Sequence, residues 1–115
     1  MEKKVHVLRP SGKMDHESRF TIFAQIQALA TPEIDYFVID MQDVTHINTF
    51  GLGVILGALR LSRQFGFRLV VGSVTSDSVI SFFHLTSMDK VLNLCPDVYE
   101  FLNNLDSEPP FLRAS

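Results

Sequence analysis

The segment that most constrains the fold is residues 36–41, the most apolar strand-like stretch of the chain. Its apolar residues do not alternate with polar ones, so both faces of this strand are expected to be covered, as in a parallel sheet with helices on its two sides. Beyond residue 51 the apolar spacing becomes helical, at Leu52, Ile55, Leu56 and Leu59. The chain therefore changes from a buried strand to a helix, and Asn48 and Thr49 lie at the junction.

The rest of the chain alternates strand-like and helix-like patterns. Asp15 is a suitable N-cap for a first amphipathic helix of about four turns, whose apolar face is expected to hold Phe20, Phe23 or Ala24, Ile26 or Gln27, and Leu29 to Ala30. Gly66 is a natural end for the second helix, and Pro96 is expected at the first position of the last one. The predicted order is a strand from Val5, a helix to residue 30, a strand over 36–41, a helix from 48 or 49 to 65, a strand over 67–74, a helix from Ser76, a strand over 91–95 and a helix over 96–105.

This alternation predicts an α/β fold. We expect one domain over residues 1–105, with a sheet of about four strands, mostly parallel or mixed, and four helices. Residues 106–115 contain Pro109 and Pro110 and are expected to form a flexible tail unless something docks on it.

Composition excludes several classes of function. The net charge is −3 and Lys and Arg are not clustered, which argues against a nucleic-acid partner. The longest apolar run, residues 51–59, is far shorter than the roughly 20 residues of a membrane span. The single Cys95 and the four scattered His residues have no metal-ligand spacing. We expect a cytoplasmic protein without metal, cofactor or membrane insertion.

An enzymatic function has little support in the sequence. We find no pair of carboxylates, no nucleophile with a base and no phosphate-binding glycine loop. Gly51 and Gly53 lack the later glycine and the acidic residue of a dinucleotide site. We therefore predict a non-catalytic protein.

The junction at residues 48–49 carries the candidate functional group. If Asn48 is the N-cap, Ile47 and Leu52 occupy the two positions of a hydrophobic staple, and the Thr49 hydroxyl at the first helical position is free. If Thr49 caps instead, no staple forms and the hydroxyl is occupied. We favour Asn48 as the cap. Gly53 and Gly57, four residues apart, would let this helix approach a neighbouring element or, as the less favoured alternative, a partner.

Three segments resemble the STAS domain family, of the anti-sigma-factor-antagonist type. They are residues 12–15, Gly-Lys-Met-Asp; residues 37–40, Phe-Val-Ile-Asp; and residues 48–57, Asn-Thr-Phe-Gly-Leu-Gly-Val-Ile-Leu-Gly. The family pattern at the last segment is D-S-S-G-L-G-V-L/I-L. The resemblance covers nearly the whole chain, from Val5 to about Leu105.

The resemblance implies a switch protein. In this family an anti-sigma-factor kinase binds the domain and phosphorylates a hydroxyl at the start of the second helix, and a PP2C-type phosphatase reverses the modification. Carried over to this chain, the phosphoacceptor is Thr49. The implied partner-binding residues are Asp15, Asn48, Thr49, Phe50, Gly51, Leu52 and Gly53.

Three departures from the family pattern leave an alternative open. Asn48 replaces an acidic residue, Phe50 replaces a small polar one, and the strand that usually precedes the Val5 strand has only residues 1–4 in which to form. The unpaired sheet edge that results would favour pairing with a second copy, and hence a homodimer. Phe50 equally fits a permanent interface, so the alternative is an unphosphorylated STAS subunit of a larger assembly, such as a lipid ABC transporter or a signalling complex.

Overall fold

The computed structural model describes residues 2–105, which form an α/β domain with four α-helices and two parallel sheets. In chain order the elements are β1 (Val5–Leu8), β2 (Ser11–Met14), α1 (Arg19–Leu29), β3 (Tyr36–Asp40), β4 (Asp43–Ile47), α2 (Thr49–Phe65), β5 (Arg68–Gly72), α3 (Asp77–Leu85), a 3-10 turn (Met88–Lys90), β6 (Asn93–Cys95) and α4 (Val98–Asn103). The fold class predicted from the sequence is confirmed.

The main sheet has four parallel strands in the order β1-β3-β5-β6. All five residues of β3 are buried, as the lack of alternation in this segment predicts. Phe37 and Ile39 contribute to the apolar core that α1, α2 and α3 cover. Val38, on the other face, packs in a second core with Val98 of α4. Helices therefore cover both faces of the sheet.

A second sheet pairs β2 with β4 in parallel, and the sequence patterns did not reveal it. β2 has no β-branched residue, Gly12 has a positive φ of 75°, and the register shifts between Gly12 and Lys13. Such a short and irregular strand is held by its partner rather than by intrinsic propensity. This sheet brings the ends of β2 and β4 to the start of α2, where the amide of Asn48 donates to the Met14 carbonyl (3.3 Å).

The predicted start of α1 is wrong, and so is the place of Phe20 on its apolar face, whereas Phe23, Ile26, Leu29 and Ala30 lie in or against the core as expected. The helix begins at Arg19, and Asp15 stabilises the preceding turn, because its Oδ1 accepts from the amides of Glu17 (3.0 Å) and Ser18 (3.2 Å). Ile22 and Ile26 form the buried face of this helix. Phe20 precedes Ile22 by two residues, about 200° around the helix, and is 70% exposed.

The start of the last helix also differs from the prediction. Asp97 is the N-cap of α4, and its Oδ1 accepts from the amides of Tyr99 (2.9 Å) and Glu100 (3.4 Å). Pro96 therefore precedes the cap instead of occupying the first helical position. Two capping bonds from a carboxylate outweigh the preference of proline for that position.

β1 lies at an edge of the main sheet, and residues 2–4 have no regular structure. The homodimer through this edge stays a prediction. The predicted tail, residues 106–115, lies outside the described residues. Among residues 2–105 no helix combines the length and the apolar character needed to cross a membrane.

Candidate functional site

Asn48 caps α2. Its Oδ1 accepts from the amides of Phe50 (3.0 Å) and Gly51 (3.3 Å), which would otherwise lack partners in the first turn. The Asn48 backbone is extended, and its carbonyl accepts the first helical bond from the Leu52 amide (2.9 Å). The prediction that Asn48 is the cap is confirmed.

Thr49 is the first residue of α2 and is exposed. Its hydroxyl makes no hydrogen bond with any residue in the described range 2–105, because the Asn48 amide group already satisfies the neighbouring backbone donors. An alcohol in this position is available to an external reagent. A negative charge added to it would lie at the positive end of the helix dipole.

Phe50, the next residue, is 42% exposed and belongs to an aromatic and cationic cluster. The His16 ring meets the Phe50 ring edge-on, with centroids 5.2 Å apart. The Arg19 guanidinium carbon lies 4.7 Å from the Phe50 centroid and 4.5 Å from that of Phe20, distances at which a cation is attracted to a ring face. The first turns of α1 and α2 are thereby joined.

These two helices enclose an open groove of about 660 Å³, which we call the α1/α2 groove. Phe20, Phe23 and Phe50 supply its aromatic lining, and Val54 and Leu56 add aliphatic surface. Arg19 and Arg60 supply charge, and Thr49 lines the groove as well. The Thr49 hydroxyl therefore borders an apolar concave surface with cationic side chains.

The glycines of α2 have different roles. Gly51 is buried, and a Cβ there would meet the Met14 carbonyl and the Ile47 side chain, so this residue packs the helix against β2 instead of presenting a docking surface. Gly57 faces the Phe23 ring, where a Cβ would lie 2.6 Å from Cε1, as the close-approach prediction requires. For Gly53 that prediction is wrong, since a Cβ there would meet nothing within 4 Å.

A smaller depression of about 260 Å³ lies on the other side of the α2 N-terminus. Asp15, Lys13 and Asn48 line it, together with His46. Asp15 therefore lies near Asn48 but is absent from the lining of the α1/α2 groove. Of the seven predicted partner-binding residues, Thr49, Phe50 and Gly53 line the α1/α2 groove, Asp15 and Asn48 line the smaller depression, and Gly51 and Leu52 line neither.

Asp40 is buried at the end of β3 and is fully partnered. Its Oδ2 accepts from Nε (3.0 Å) and Nη2 (2.9 Å) of Arg9, and its Oδ1 accepts from the Gln42 amide (3.0 Å). This carboxylate therefore stabilises the turn between β3 and β4. The nearby Cys95 thiol is also buried, and this burial, with smaller contributions from Asp40 and Asp97, raises its pKa to about 11.

Residues 2–105 contain no group of three or more His, Cys, Asp or Glu side chains that could hold a metal ion. The hydroxyl of Thr49 has no basic partner among them to activate it, so any reaction at this oxygen needs a base supplied from outside.

Sequence patterns identified the α2 half of the groove and missed the α1 half. Phe50, Gly53, Gly57 and Arg60 are spaced i, i+3, i+7 and i+10, a stripe that a helical plot of α2 could have shown. Arg19, Phe20 and Phe23 were missed as site residues because Phe20 was assigned to the buried face of α1. Phe20 is exposed because Ile22 and Ile26 pack in the core and Phe20 lies on a different side of the helix.

Comparison with known proteins points to a single family. The model of the STAS domain family matches residues 2–101. An anti-sigma F factor antagonist of Paenibacillus polymyxa is 30% identical over 71 residues, and this match spans 61% of each protein's length. Less than two thirds of that relative is therefore represented here.

Solved structures show the same fold. The crystal structure of an anti-sigma factor antagonist from Mycobacterium paratuberculosis superposes with a TM-score of 0.74 at 23% identity, covering 93% of this chain and 90% of the other. The STAS domain of a SulP transporter from Vibrio cholerae gives a TM-score of 0.68 at 10% identity, covering 94% and 88%. Since the family model extends over nearly the whole described domain, this chain belongs to the STAS domain family.

Proposed function

We propose that this chain is a phosphorylation-regulated protein-binding module of a partner-switching pathway, acting as an anti-sigma factor antagonist. Its partners are an anti-sigma-factor kinase that phosphorylates Thr49 and a PP2C-type phosphatase that removes the phosphate. The observation that carries the proposal is the exposed Thr49 hydroxyl, which has no hydrogen-bond partner in the described structure because Asn48 caps α2. The likeness to the antagonist of Paenibacillus polymyxa supports it.

The modification transfers the γ-phosphoryl group of ATP to Oγ1 of Thr49. The kinase supplies the base that takes the hydroxyl proton, and ADP leaves. This chain contributes the acceptor oxygen and its position. The chain itself is a substrate and a binding partner, with no catalytic group of its own in the proposal.

Phosphorylation would change binding without unfolding the domain. A phosphate adds about −1.5 to −2 charges at the first position of α2, where the helix dipole favours an anion. The same charges would adjoin the exposed ring of Phe50 and the half-buried Leu52. A partner that covers these apolar side chains would then have to desolvate the phosphate, so the complex weakens.

The proposed contact surface consists of the exposed residues around this hydroxyl. Phe50 and Gly53 belong to the α1/α2 groove, and Asp15 and Asn48 belong to the smaller depression beside it. Leu52 is half-buried one turn after Thr49 on α2 and lines neither depression. Gly51 contributes indirectly, because its lack of a side chain lets α2 begin close to β2.

The proposal is tested by incubating the purified protein with ATP and each serine kinase encoded beside it, followed by peptide mapping by mass spectrometry. We expect one phosphate, on Thr49, and none on Thr49→Val. The control variant Thr45→Val removes an exposed hydroxyl close in sequence and should be phosphorylated normally. A phosphate on another residue, or an unmodified protein with every such kinase, would contradict the proposal.

A second candidate function follows from the exposed apolar surface. Phe50 and Phe20 form a patch that fits a permanent interface, so the chain would be an unphosphorylated subunit of a transporter or signalling assembly. A STAS domain is part of the SulP transporter of Vibrio cholerae. In this case a complex isolated with the chain would survive Thr49→Glu and dissociate with Phe50→Ala, whereas the switch requires that Thr49→Glu weaken it.

A further inference from the structure

We propose that the α1/α2 groove binds an acidic amphipathic segment of a partner protein, with Arg19 and Arg60 pairing with its carboxylates. The inference rests on the proposed function in one respect, namely that this face of the domain is where partners dock. It adds the chemistry that the partner must present. Three features of the groove support it: shape, charge and the state of Arg19.

The shape suits one helical segment. Gly53 and Gly57 have no side chains to project from α2 into the groove, and the Phe23 ring lies against Gly57. Phe20 and Phe50, which are 70% and 42% exposed, form the walls at one end. The stripe from Phe50 to Arg60 rises about 15 Å, the length of a helix of about ten residues. Apolar side chains at i, i+3 or i+4, and i+7 would fill such a groove.

The charge selects an acidic partner. Arg19 and Arg60 are the charged residues of the lining, and both are cationic. The chain as a whole carries a net charge of −3, so the groove has the opposite sign to the protein. A partner that is acidic beside its apolar face would be attracted to the two arginines here, against the net negative charge of the whole protein.

Arg19 is free to accept a carboxylate. Its guanidinium lies between the rings of Phe20 and Phe50, its Nε has no hydrogen-bond partner, and no ion pair of the described residues includes it. The buried Nε is shielded from the groove, but the two Nη groups are not buried and have no hydrogen-bond partner among the described residues, so they are open to an incoming carboxylate. The aromatic rings hold the cation in place and so reduce the entropy lost on binding.

Other occupants fit these observations less well. Two cations are too few for the phosphate contacts of a nucleic acid. The floor at Gly53 and Gly57 is concave, which suits an inserted segment more than a flat bilayer. The chain's own residues 106–115 follow α4, which packs on the opposite face of the sheet from α1 and α2.

The groove also offers a physical reason for regulation at Thr49, which lines it. A phosphate on this residue would introduce negative charge beside Arg19 and compete with the carboxylates of the partner for the same guanidinium. Phosphorylation would then weaken the binding of an acidic partner in two ways, by competition for Arg19 and by charge repulsion.

The test uses the full 115-residue protein, unphosphorylated, and a phage-displayed library of random peptides of about 16 residues, long enough to span the groove as a helix. We expect the selected peptides to combine apolar residues at helical spacing with Asp or Glu. Fluorescence anisotropy with the best peptide should show roughly tenfold weaker binding to Arg19→Glu and to Gly53→Leu. The first substitution reverses the charge, and the second fills the open space over Gly53.

The matched control is Arg63→Glu, which makes the same charge change on an exposed residue of α2 that does not line the groove. This variant should bind the peptide like the unmodified protein, and circular dichroism melts should show that all three variants fold. The peptide-binding assay uses unphosphorylated protein, so a negative result there would not affect the outcome of the kinase assay on Thr49. Likewise, a negative kinase assay would not affect the peptide-binding result.

Four outcomes would overturn the proposal. The first is a set of selected peptides without acidic residues, and the second is equal binding to Gly53→Leu. The third is preferential binding of the protein to vesicles of phosphatidylglycerol through this groove. The fourth is a gain in peptide affinity, seen either on deletion of residues 106–115 or on dilution of a self-associated form. The last pair would assign the groove to the tail or to a second copy of the chain.

Discussion

The adjacent residues Asn48 and Thr49 have different roles at the start of α2, and stability measurements can distinguish these roles. Asn48 Oδ1 accepts from the amides of Phe50 and Gly51, whereas the hydroxyl of Thr49 has no partner in the described structure. Asn48→Ala removes both capping bonds and should lower the free energy of unfolding by about 1–2 kcal/mol. Thr49→Ala removes an exposed group without partners and should change it by less than about 0.5 kcal/mol.

Chemical denaturation in urea, monitored by circular dichroism, is a suitable assay because the two values differ by more than its usual error. In thermal melts a loss of 1 kcal/mol should lower the Tm of a domain of this size by about 4–8 °C. Asn48→Asp is the matched control. It keeps an acceptor oxygen in the capping position and adds a negative charge at the helix N-terminus, so it should be at least as stable as the unmodified protein.

An equal loss of unfolding free energy in Thr49→Ala and Asn48→Ala would contradict these expectations. Such a result would mean that the Thr49 hydroxyl is occupied by a capping bond in solution. Phosphorylation would then have to break a structural hydrogen bond, and the claim that the modification leaves the fold unchanged would be wrong. Equal stability of Asn48→Ala and the unmodified protein would contradict the capping geometry itself.

Two further predictions concern packing and pH. Gly53→Ala should raise the free energy of unfolding by about 0.5–1 kcal/mol, because alanine is the better helix former and its methyl group meets nothing within 4 Å. Gly57→Ala should lower the free energy of unfolding by about 1–3 kcal/mol, because its methyl group would meet the Phe23 ring. Urea titrations of the two variants measure both changes. The Cys95 pKa is raised from 9.0 to about 11, so the folded chain retains a proton that the unfolded chain loses, and stability should fall by about 2 kcal/mol as the pH rises from 9 to 11. Urea titrations of Cys95→Ala across the same pH range should lack this component, and an equal pH dependence in the two proteins would contradict it.

The sequence predicts those parts of the fold that depend on neighbouring residues. The apolar residues 36–39 and Met41 do not alternate with polar ones, so the faces of this segment cannot be divided into apolar and polar and a buried parallel strand is predicted. The second helix is predicted at both ends, since Asn48 and Gly66 act through backbone bonds within a few residues. Gly66 indeed adopts a left-handed conformation with a φ of 85° after the last helical residue.

Features that depend on distant partners were missed. The segment of β2 has no β-branched residue and weak strand propensity by itself, and it is a strand because β4 lies beside it. The buried face of α1 could not be chosen because Phe20 and Ile22 are both apolar and lie on different sides of the helix. That choice decides the candidate site, since the outward position of Phe20 supplies one wall of the groove.

In the proposed function, phosphorylation of Thr49 controls partner binding while the fold stays intact. Isothermal titration calorimetry of the partner kinase with three forms of the protein tests it most directly: unmodified, Thr49→Val, and a form with phosphothreonine at position 49 introduced during synthesis. We predict equal affinity for the first two forms and at least roughly tenfold weaker binding, about 1.4 kcal/mol, for the phosphorylated form. Equal affinity for all three would contradict the account and favour a permanent interface.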